Sequence, residues 1–256
     1  MSSLIIKQIP CLSDNYGYLV HDPQSGQTAS IDTPDAKAIM AALDEEGWTL
    51  NQIWNTHHHY DHAGGNAELV EKTGCAVYAP KGERDMIPDA DRYLSEGDEV
   101  CLGEHCARVI DTPGHTRGHI CYIFDDEKLA FVGDTLFALG CGRLFEGTPE
   151  QMWDSLSKLK ALPDDMLIHC AHEYTMDNAR FAVTVEPQNA DLQSRILQIK
   201  TLREKDQPTV PMLLGLEKAT NPFLRPDSAT IRANLKEERS DDAAVFAHVR
   251  RLKDAF

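Results

Sequence analysis

The chain has 256 residues, of which 42% are hydrophobic, and its 41 acidic and 25 basic residues give a formal net charge of -16. This length and apolar content fit one large globular domain, or a domain with a smaller appendage, and exclude a disordered chain. The negative charge argues against general binding to nucleic acid or to an anionic membrane, because both require a basic face. An anionic substrate would instead need a local basic cluster.

The seven cysteines are odd in number and scattered along the chain, which predicts reduced thiols in a cytoplasm rather than disulfides. Cys101 and Cys106 are the closest pair, but no neighbouring cysteine or histidine pair completes a structural zinc site. The N-terminal segment lacks the basic start of a signal peptide, and no run of eighteen apolar residues follows. We therefore expect a soluble, cytoplasmic protein. Separately, we expect it to act as a monomer.

Predicted strands and helices alternate in the first part of the chain. Strands are expected at 3–9, 16–21 and 28–31, followed by a helix over Ala36–Glu46, a strand at 51–55, a helix ending at Lys72 and a strand at 75–78. Four strands of an antiparallel type then follow at 99–102, 107–110, 119–124 and 129–132, with a helix at 149–159 and a strand at 166–169.

Beyond Tyr174 the strand signals stop. Four helices are predicted at 177–185, 189–205, 229–237 and 241–253, interrupted by prolines. This change predicts a domain boundary near residue 173, between a region with strands at 1–172 and a helical region at 173–256.

A dense cluster of histidines follows the strand at 51–55, in the sequence THHHYDH at 56–62. Imidazole and carboxylate groups packed this closely suit a divalent cation, since they would be costly to bury without one. In an extended chain His57 and His59 share a face, while His58 points elsewhere. Asp61 and His62 lie beyond the turn, so the spacing suggests a second metal nearby. The alternatives are a histidine-rich surface loop or an expression tag, but a tag would not continue into an acid, a histidine and two glycines.

Three more polar residues lie where other predicted strands end or begin: His115, Asp134 and His172. Each alone could be a turn residue, a cap or a histidine bonded to the backbone. Together with the histidine cluster they predict an active site along one rim of a sheet.

These motifs resemble a known family. THHHYDH matches the HxHxDH signature of the metallo-β-lactamase superfamily, and within it the chain resembles the hydroxyacylglutathione hydrolases, or glyoxalase II enzymes. The further matching motifs are TPGHTRGH at 112–119, GDTLF at 133–137, GCGRLFEGT at 140–148, HEYT at 172–175 and NPFLR at 221–225. The resemblance implies an α+β fold, a four-layer αββα metallo-β-lactamase-like sandwich with a C-terminal helical domain. It also implies that the sandwich at 1–172 is the catalytic domain and that the helical domain at 173–256 binds substrate.

The resemblance also implies a binuclear metal site. His57, His59 and His115 would bind one ion, Asp61, His62 and His172 would bind the other, and Asp134 would bridge both together with a hydroxide. Two divalent ions are expected, with zinc as the first choice and iron or manganese as alternatives. Asp61 and Asp134 are the predicted catalytic carboxylates, whereas His58 and His119 are expected to support the site without binding metal.

Four residues are implied to hold the glutathione part of a substrate: Arg143, Tyr174, Arg250 and Lys253. Position 143 is arginine where some members have lysine. The positive charge is kept, but the compact ammonium group is replaced by a planar guanidinium with a forked set of hydrogen-bond donors. Position 145 is phenylalanine where some have tyrosine, so a phenol hydrogen bond is lost there. For Arg250 and Lys253 the alternative explanation is a charged helix end.

The implied reaction is hydrolysis of S-(2-hydroxyacyl)glutathione to glutathione and a 2-hydroxy acid, with D-lactate as the product when the acyl group comes from methylglyoxal. A thiolate leaves without a dedicated acid, which favours a thioester over an amide. The rivals are a β-lactamase, a persulfide dioxygenase, a nuclease, a hydrolase of another thioester or ester, and a metal-stabilised binding module. A mononuclear oxygenase would not need Asp61, His62 and His172, and a nuclease would want a basic surface.

Overall fold

The computed structural model describes residues 3–256 and separates into two compact units. The first unit contains the chain up to Asp111 and the segment Arg117–Gly133, and the second contains Thr112–Thr116 and Asp134–Phe256. The predicted boundary between a domain at 1–172 and a domain at 173–256 stays a prediction.

A six-stranded sheet forms one part of the first unit, with its strands in sequence order. The strands are β1 (Ile5–Cys11), β2 (Asn15–Asp22), β3 (Gln27–Ile31), β4 (Leu50–Trp54), β5 (Ala76–Pro80) and β6 (Arg92–Leu94). Pairing is antiparallel from β1 to β3 and parallel from β3 to β6. The helices of this unit are α1 (Ala36–Glu46), α2 (Tyr60–Ala63) and α3 (Asn66–Thr73).

Helix α1 is defined at both ends by its sequence. The Asp35 side chain accepts from the backbone N–H groups of Lys37 and Ala38, and Gly47 closes the helix in the left-handed region at φ 70°. Ile39 and Leu43 on this helix and Leu69 on α3 are buried in one cluster with residues of the sheet. Burial of a leucine or isoleucine of this kind contributes about 1.5 to 3 kcal/mol.

Four antiparallel strands of the first unit pair in the order β7-β8-β9-β10. Their bounds are β7 (Glu99–Leu102), β8 (His105–Asp111), β9 (Ile120–Phe124) and β10 (Leu129–Gly133). Trp54 of β4 contacts the rings of Tyr122 and Phe124 on β9, at centroid distances of 5.4 and 6.0 Å. These aromatic contacts show that the core of this unit lies between its two sets of strands.

The second unit is mainly helical. Its strands are β11 (Leu136–Phe137), β12 (Gly140–Cys141), β13 (Leu167–Cys170) and β14 (Met212–Leu213), and its helices are α4 (Pro149–Lys160), α5 (Thr175–Val185), α6 (Ala190–Arg203), α7 (Leu214–Thr220), α8 (Ala229–Leu235) and α9 (Asp242–Asp254). Asn221, from the NPFLR motif, donates to the carbonyls of Phe137 and Gly140 at 3.1 and 3.0 Å. Glu217 is fully buried and accepts from Asn221, from the backbone of Leu139 and from Arg195. This network fixes the backbone turn between β11 and β12.

The predicted reduction of all seven cysteines is wrong, because Cys101 and Cys106 form a disulfide. The two residues face each other across the β7-β8 hairpin, one position in from its turn. Their five-residue separation looks unremarkable in sequence, and only the strand register brings the sulfurs together. The five other cysteines form no disulfide and are buried. Among the described residues, no helix combines the length and the apolar character that crossing a membrane requires.

Candidate metal centre and substrate cavity

His57 and His59 follow directly after β4 and lie side by side. Nε2 of His57 is 3.0 Å from Nδ1 of His59, and His57 is fully buried. His58 points away, as predicted, and its ring pairs with the buried carboxylate of Glu83, which also accepts from the backbone of Gly118 at 2.9 Å. His119 stacks on His57 with ring centroids 4.9 Å apart.

Asp61 and His62 lie on the short helix α2. Oδ2 of Asp61 is 3.7 Å from Nε2 of His62, and the Asn15 side chain donates to the same carboxylate oxygen at 3.0 Å. Asn15 thus fixes the direction of a carboxylate that is otherwise half-exposed.

Asp32 is a site residue that was not predicted from the sequence. It follows β3 in the left-handed region at φ 57°, and its buried carboxylate accepts from the backbone and hydroxyl of Thr56 at 2.7 Å each and from Nδ1 of His62 at 2.8 Å. In the sequence, Asp32 directly follows the strand expected at 28–31 and precedes the helix that begins at Ala36, so it is not distinctive. The available signal was a carboxylate at a strand end, the same signal that identified Asp134.

Three predicted ligands belong to the second unit. Oδ2 of Asp134 is 3.3 Å from Nε2 of His115, and its other oxygen, Oδ1, is 3.4 Å from Nε2 of His172. Each carboxylate oxygen therefore faces a different histidine. Gly142 permits this packing, because a Cβ there would lie 2.0 Å from the backbone oxygen of Asp134 and 3.1 Å from Nδ1 of His115.

The histidine tautomers are set by hydrogen bonds at Nδ1. His62 donates to Asp32, and His115 donates to the backbone oxygen of Arg143 at 2.8 Å. The Thr56 hydroxyl donates to Asp32 and so accepts from Nδ1 of His57 at 3.0 Å. In all three rings this leaves the lone pair of Nε2 available to bind a metal ion, the arrangement by which proteins orient metal-binding imidazoles.

The donor set and its spacing fit divalent metal ions. Ligands 2.0 to 2.1 Å from a tetrahedral ion lie about 3.3 Å from each other, and the four pairs described above are separated by 3.0 to 3.7 Å. Over residues 3–256, histidine and carboxylate side chains form three groups that could hold an ion, with the ligand atoms of each group within 4.8 Å of one another.

A cavity of about 310 Å³ opens in the second unit beside His115 and Asp134. Its other lining residues include all four predicted substrate-binding residues, Arg143, Tyr174, Arg250 and Lys253, together with Phe137, Cys141, Phe145, Asp177 and Asn178. Tyr174 stacks on His172 with centroids 4.7 Å apart, and the ring of Phe145 contacts His115 edge-on at 5.2 Å. The cavity therefore joins predicted metal ligands to predicted substrate contacts.

The basic residues of the cavity are held in different ways. Arg250 is buried and donates to the backbone oxygen of Cys141 at 3.1 Å and to Asp254 at 2.8 Å. Lys253 donates to the backbone oxygen of Asp177 at 3.3 Å. Its pKa is lowered from the ordinary value of 10.5, first by burial and then by the positive charges of Arg250, Arg180 and Arg143. An otherwise acidic chain thus concentrates positive charge at this cavity.

Two protein-family models match consecutive parts of the chain. Residues 25–172 match the metallo-beta-lactamase superfamily, and residues 173–256 match the hydroxyacylglutathione hydrolase C-terminus. A hydroxyacylglutathione hydrolase of Maricaulis maris is 57% identical over 256 residues, which is 100% of both chains. The chain belongs to the hydroxyacylglutathione hydrolase family. It is an enzyme of this family, and the resemblance seen in its motifs is confirmed.

Solved structures agree on the fold of this family member. The crystal structure of ETHE1 from Myxococcus xanthus matches with a TM-score of 0.69 and 26% identity, covering 96% of this chain and 90% of that one. A structure in a di-iron-bound form matches with a TM-score of 0.62 and 25% identity, covering 84% of this chain and 99% of that one. The predicted α+β, metallo-β-lactamase-like fold with a helical C-terminal region is confirmed, and the histidine and aspartate groups support the binding of two divalent metal ions.

Proposed function

We propose that this enzyme hydrolyses S-(2-hydroxyacyl)glutathione thioesters, S-D-lactoylglutathione among them, to glutathione and a 2-hydroxy acid, the second step of methylglyoxal detoxification. Family membership supports the reaction class. The observation that carries the proposal for this chain is a cavity whose lining includes His115 and Asp134 as well as a cluster of basic side chains. An anionic glutathione moiety needs such a cluster in a chain with a net charge of -16.

We propose zinc for both ions, with iron or manganese as alternatives. His57, His59 and His115 would hold one, Asp61, His62 and His172 the other, and Asp134 both. The support for the bridging role is that its two oxygens face two different histidines at 3.3 and 3.4 Å. The support for the nitrogen ligands is the set of Nδ1 hydrogen bonds that leaves Nε2 unprotonated.

When bound, the ions would polarise the thioester carbonyl and lower the pKa of a water molecule toward neutrality. The protein's own contribution is to position the reactants. Asn15 holds Asp61 in a fixed direction, so that this carboxylate can orient the attacking water. Arg143, Tyr174, Arg250 and Lys253 would bind the glutathione part, which fixes the carbonyl beside His115 and Asp134. The leaving thiolate has a conjugate acid with a pKa of about 8.5, so its departure needs no general acid.

The direct test is hydrolysis of S-D-lactoylglutathione by purified enzyme, run beside elemental analysis of its metals. We expect release of glutathione at a rate that saturates with substrate, and two metal ions per chain. A D-lactoyl thioester of a small thiol without carboxylates is the matched control substrate, and it should react with a much higher KM. Equal KM values for the two substrates would contradict a glutathione-binding role for the cavity.

The replacement Lys253→Met should raise KM for S-D-lactoylglutathione by about tenfold and leave kcat within about twofold. Methionine keeps the length and apolar stem of the side chain but removes the charge, and one charge-assisted hydrogen bond contributes about 1.5 kcal/mol or more. Remote groups of this kind act mainly on uniform binding. The control is Arg251→Met, an exposed cation on the same helix that does not line the cavity. Steady-state kinetics of both variants decide the matter, and a KM unchanged by Lys253→Met would remove this residue from the site.

The replacement Arg143→Lys should change KM while leaving the metal content intact. The backbone oxygen of Arg143 orients His115, and any residue provides that oxygen, whereas the side chain lines the cavity. Lysine would keep the charge but lose the planar, two-pronged contact with a carboxylate, so we expect KM to rise about three- to tenfold. Elemental analysis and kinetics on the same preparation measure both effects. If metal is lost instead, the side chain of Arg143 acts on the metal site.

We further propose that the enzyme acts as a monomer in the cytoplasm, without nucleic acid or membrane as a partner. The support is the strong negative net charge of the chain. Such a charge disfavours binding to nucleic acid and to anionic membranes, and it keeps a protein soluble and monomeric. Light scattering of the purified protein at several concentrations tests the oligomeric state, and a mass of twice the chain would contradict it.

A further inference from the structure

The Cys101–Cys106 disulfide lies on the outer face of the β7-β8 hairpin. The residues that alternate with the two cysteines along the strands are buried and point into the core: Val100, Leu102, Ala107 and Val109. Cys106 is exposed, and Cys101 is half-buried. The bond therefore joins two side chains on the solvent side of a strand pair. Cys106 is therefore the more exposed residue of the pair.

The five other cysteines are protected. All of them are buried. Burial raises the pKa of Cys11 and Cys141 to about 11 and that of Cys170 to about 12, and it also raises the pKa of Cys75. Since the thiolate is the reactive form, exchange chemistry on the folded protein is confined to Cys101 and Cys106.

The hairpin does not depend on the disulfide to keep its shape. Four residue pairs hold β7 and β8 in register, from Glu99 opposite Arg108 to Leu102 opposite His105. The hairpin is also bonded to strands β3 and β4 of the six-stranded sheet. Gly103 donates to the side chain of Gln27 at 3.3 Å, and the side chain of Gln52 donates to the backbone oxygen of Cys101 at 3.3 Å. A disulfide that closes so short a loop restricts the unfolded chain less than one that closes a long loop. Reduction would leave both thiols facing each other, ready to reoxidise.

We propose that Cys101–Cys106 is a reversible thiol-exchange site for low-molecular-weight thiols, and that its modified form is a mixed disulfide on Cys106. The thiolate of glutathione attacks the sulfur of Cys106, the S–S bond breaks, and Cys101 leaves as a thiolate that takes up a proton. Attack by Cys101 on the mixed disulfide restores the original bond and releases glutathione. Attack by a second glutathione instead yields glutathione disulfide and a reduced pair. Glutathione is also the product of the proposed reaction, but exchange requires only added thiol and no turnover.

The test compares two single variants, Cys101→Ser and Cys106→Ser, under native conditions. Each is incubated with glutathione disulfide, and the mixed disulfide is quantified by mass spectrometry. We expect Cys106, left alone in the first variant, to be modified at least about tenfold faster than Cys101 in the second, because only Cys106 is exposed. Equal rates would overturn the assignment of the attacked sulfur.

The unmodified protein provides the second measurement. Millimolar reduced glutathione followed by alkylation of the folded protein should label Cys101 and Cys106 and leave the other five cysteines unlabelled, and glutathione disulfide should reverse this. Circular dichroism should show that the reduced protein remains folded. The proposal is overturned if the disulfide resists glutathione until the protein is denatured, or if its reduction unfolds the chain. None of these readouts uses thioester hydrolysis, so their failure would be distinct from a failure of the proposed function.

Discussion

Replacing Asp134 with alanine is expected to lower kcat for S-D-lactoylglutathione by about 10³-fold or more and to remove metal from the protein. Its two carboxylate oxygens lie 3.3 Å from His115 and 3.4 Å from His172. Removing them takes away a ligand of both proposed ions, and a loss of about 4 kcal/mol of transition-state stabilisation corresponds to that factor in rate. Elemental analysis and kinetics should be run on the same sample.

The matched control for this variant is Asp126→Ala, which removes an exposed carboxylate from the turn between β9 and β10. It should keep both the rate and the metal content. An Asp134→Ala protein that retained two ions and full activity would contradict the bridging role. Loss of one ion with a surviving slow reaction would instead show that Asp134 belongs to a single metal.

The second large effect is expected for Asp32→Asn, which should weaken metal binding by about 10- to 100-fold, the range typical of residues that orient metal ligands. Asparagine tolerates the left-handed backbone at φ 57° and can still accept from Thr56 through its oxygen. Its amide NH₂, however, would face the N–H of His62 where a carboxylate oxygen now accepts at 2.8 Å. Relief of that clash requires the other tautomer, which protonates Nε2 and blocks the lone pair.

Metal titration of the apoprotein, followed by activity and by calorimetry, measures the change in affinity. The control is Asp35→Asn, because asparagine caps a helix about as well as aspartate and α1 should remain intact. Far-UV circular dichroism should be unchanged in both variants. If Asp32→Asn binds metal as tightly as the parent, the carboxylate has no role in orienting His62.

Regular elements with a clear hydrophobic period were predictable from the sequence. The helix Ala36–Glu46 is observed with its predicted bounds, because its aspartate cap, apolar spacing and closing glycine all agree. The elements that were not predicted include strands β6 and β14 and helix α7. β6 and β14 have only three and two residues, too few for a periodic pattern, and α7 is a seven-residue helix whose buried Glu217 resembles a surface charge in the sequence.

The predicted ligands were recognisable because metal sites need specific residue types, so His57, Asp134 and His172 stand out even without a structure. The groups that orient them were not recognisable. Asn15 and Asp32 hydrogen-bond to residues that lie far away along the chain. Arg143 accepts from His115 through its backbone oxygen, and no pattern of side chains in the sequence indicates such a bond. Likewise, Cys101 and Cys106 lie opposite each other only because of the register between β7 and β8. The sequence therefore predicts the metal-binding residues more readily than the contacts that orient them.

The bonds at Nδ1 of His57, His62 and His115 bear on how the enzyme acquires its ions. Each of these rings is anchored by an oxygen from its own compact unit, so its orientation does not depend on the metal. Apoprotein prepared with a chelator should therefore stay folded and regain activity within minutes of adding zinc, without a refolding step. Cells that change their metal supply could reload the same polypeptide rather than synthesise it anew.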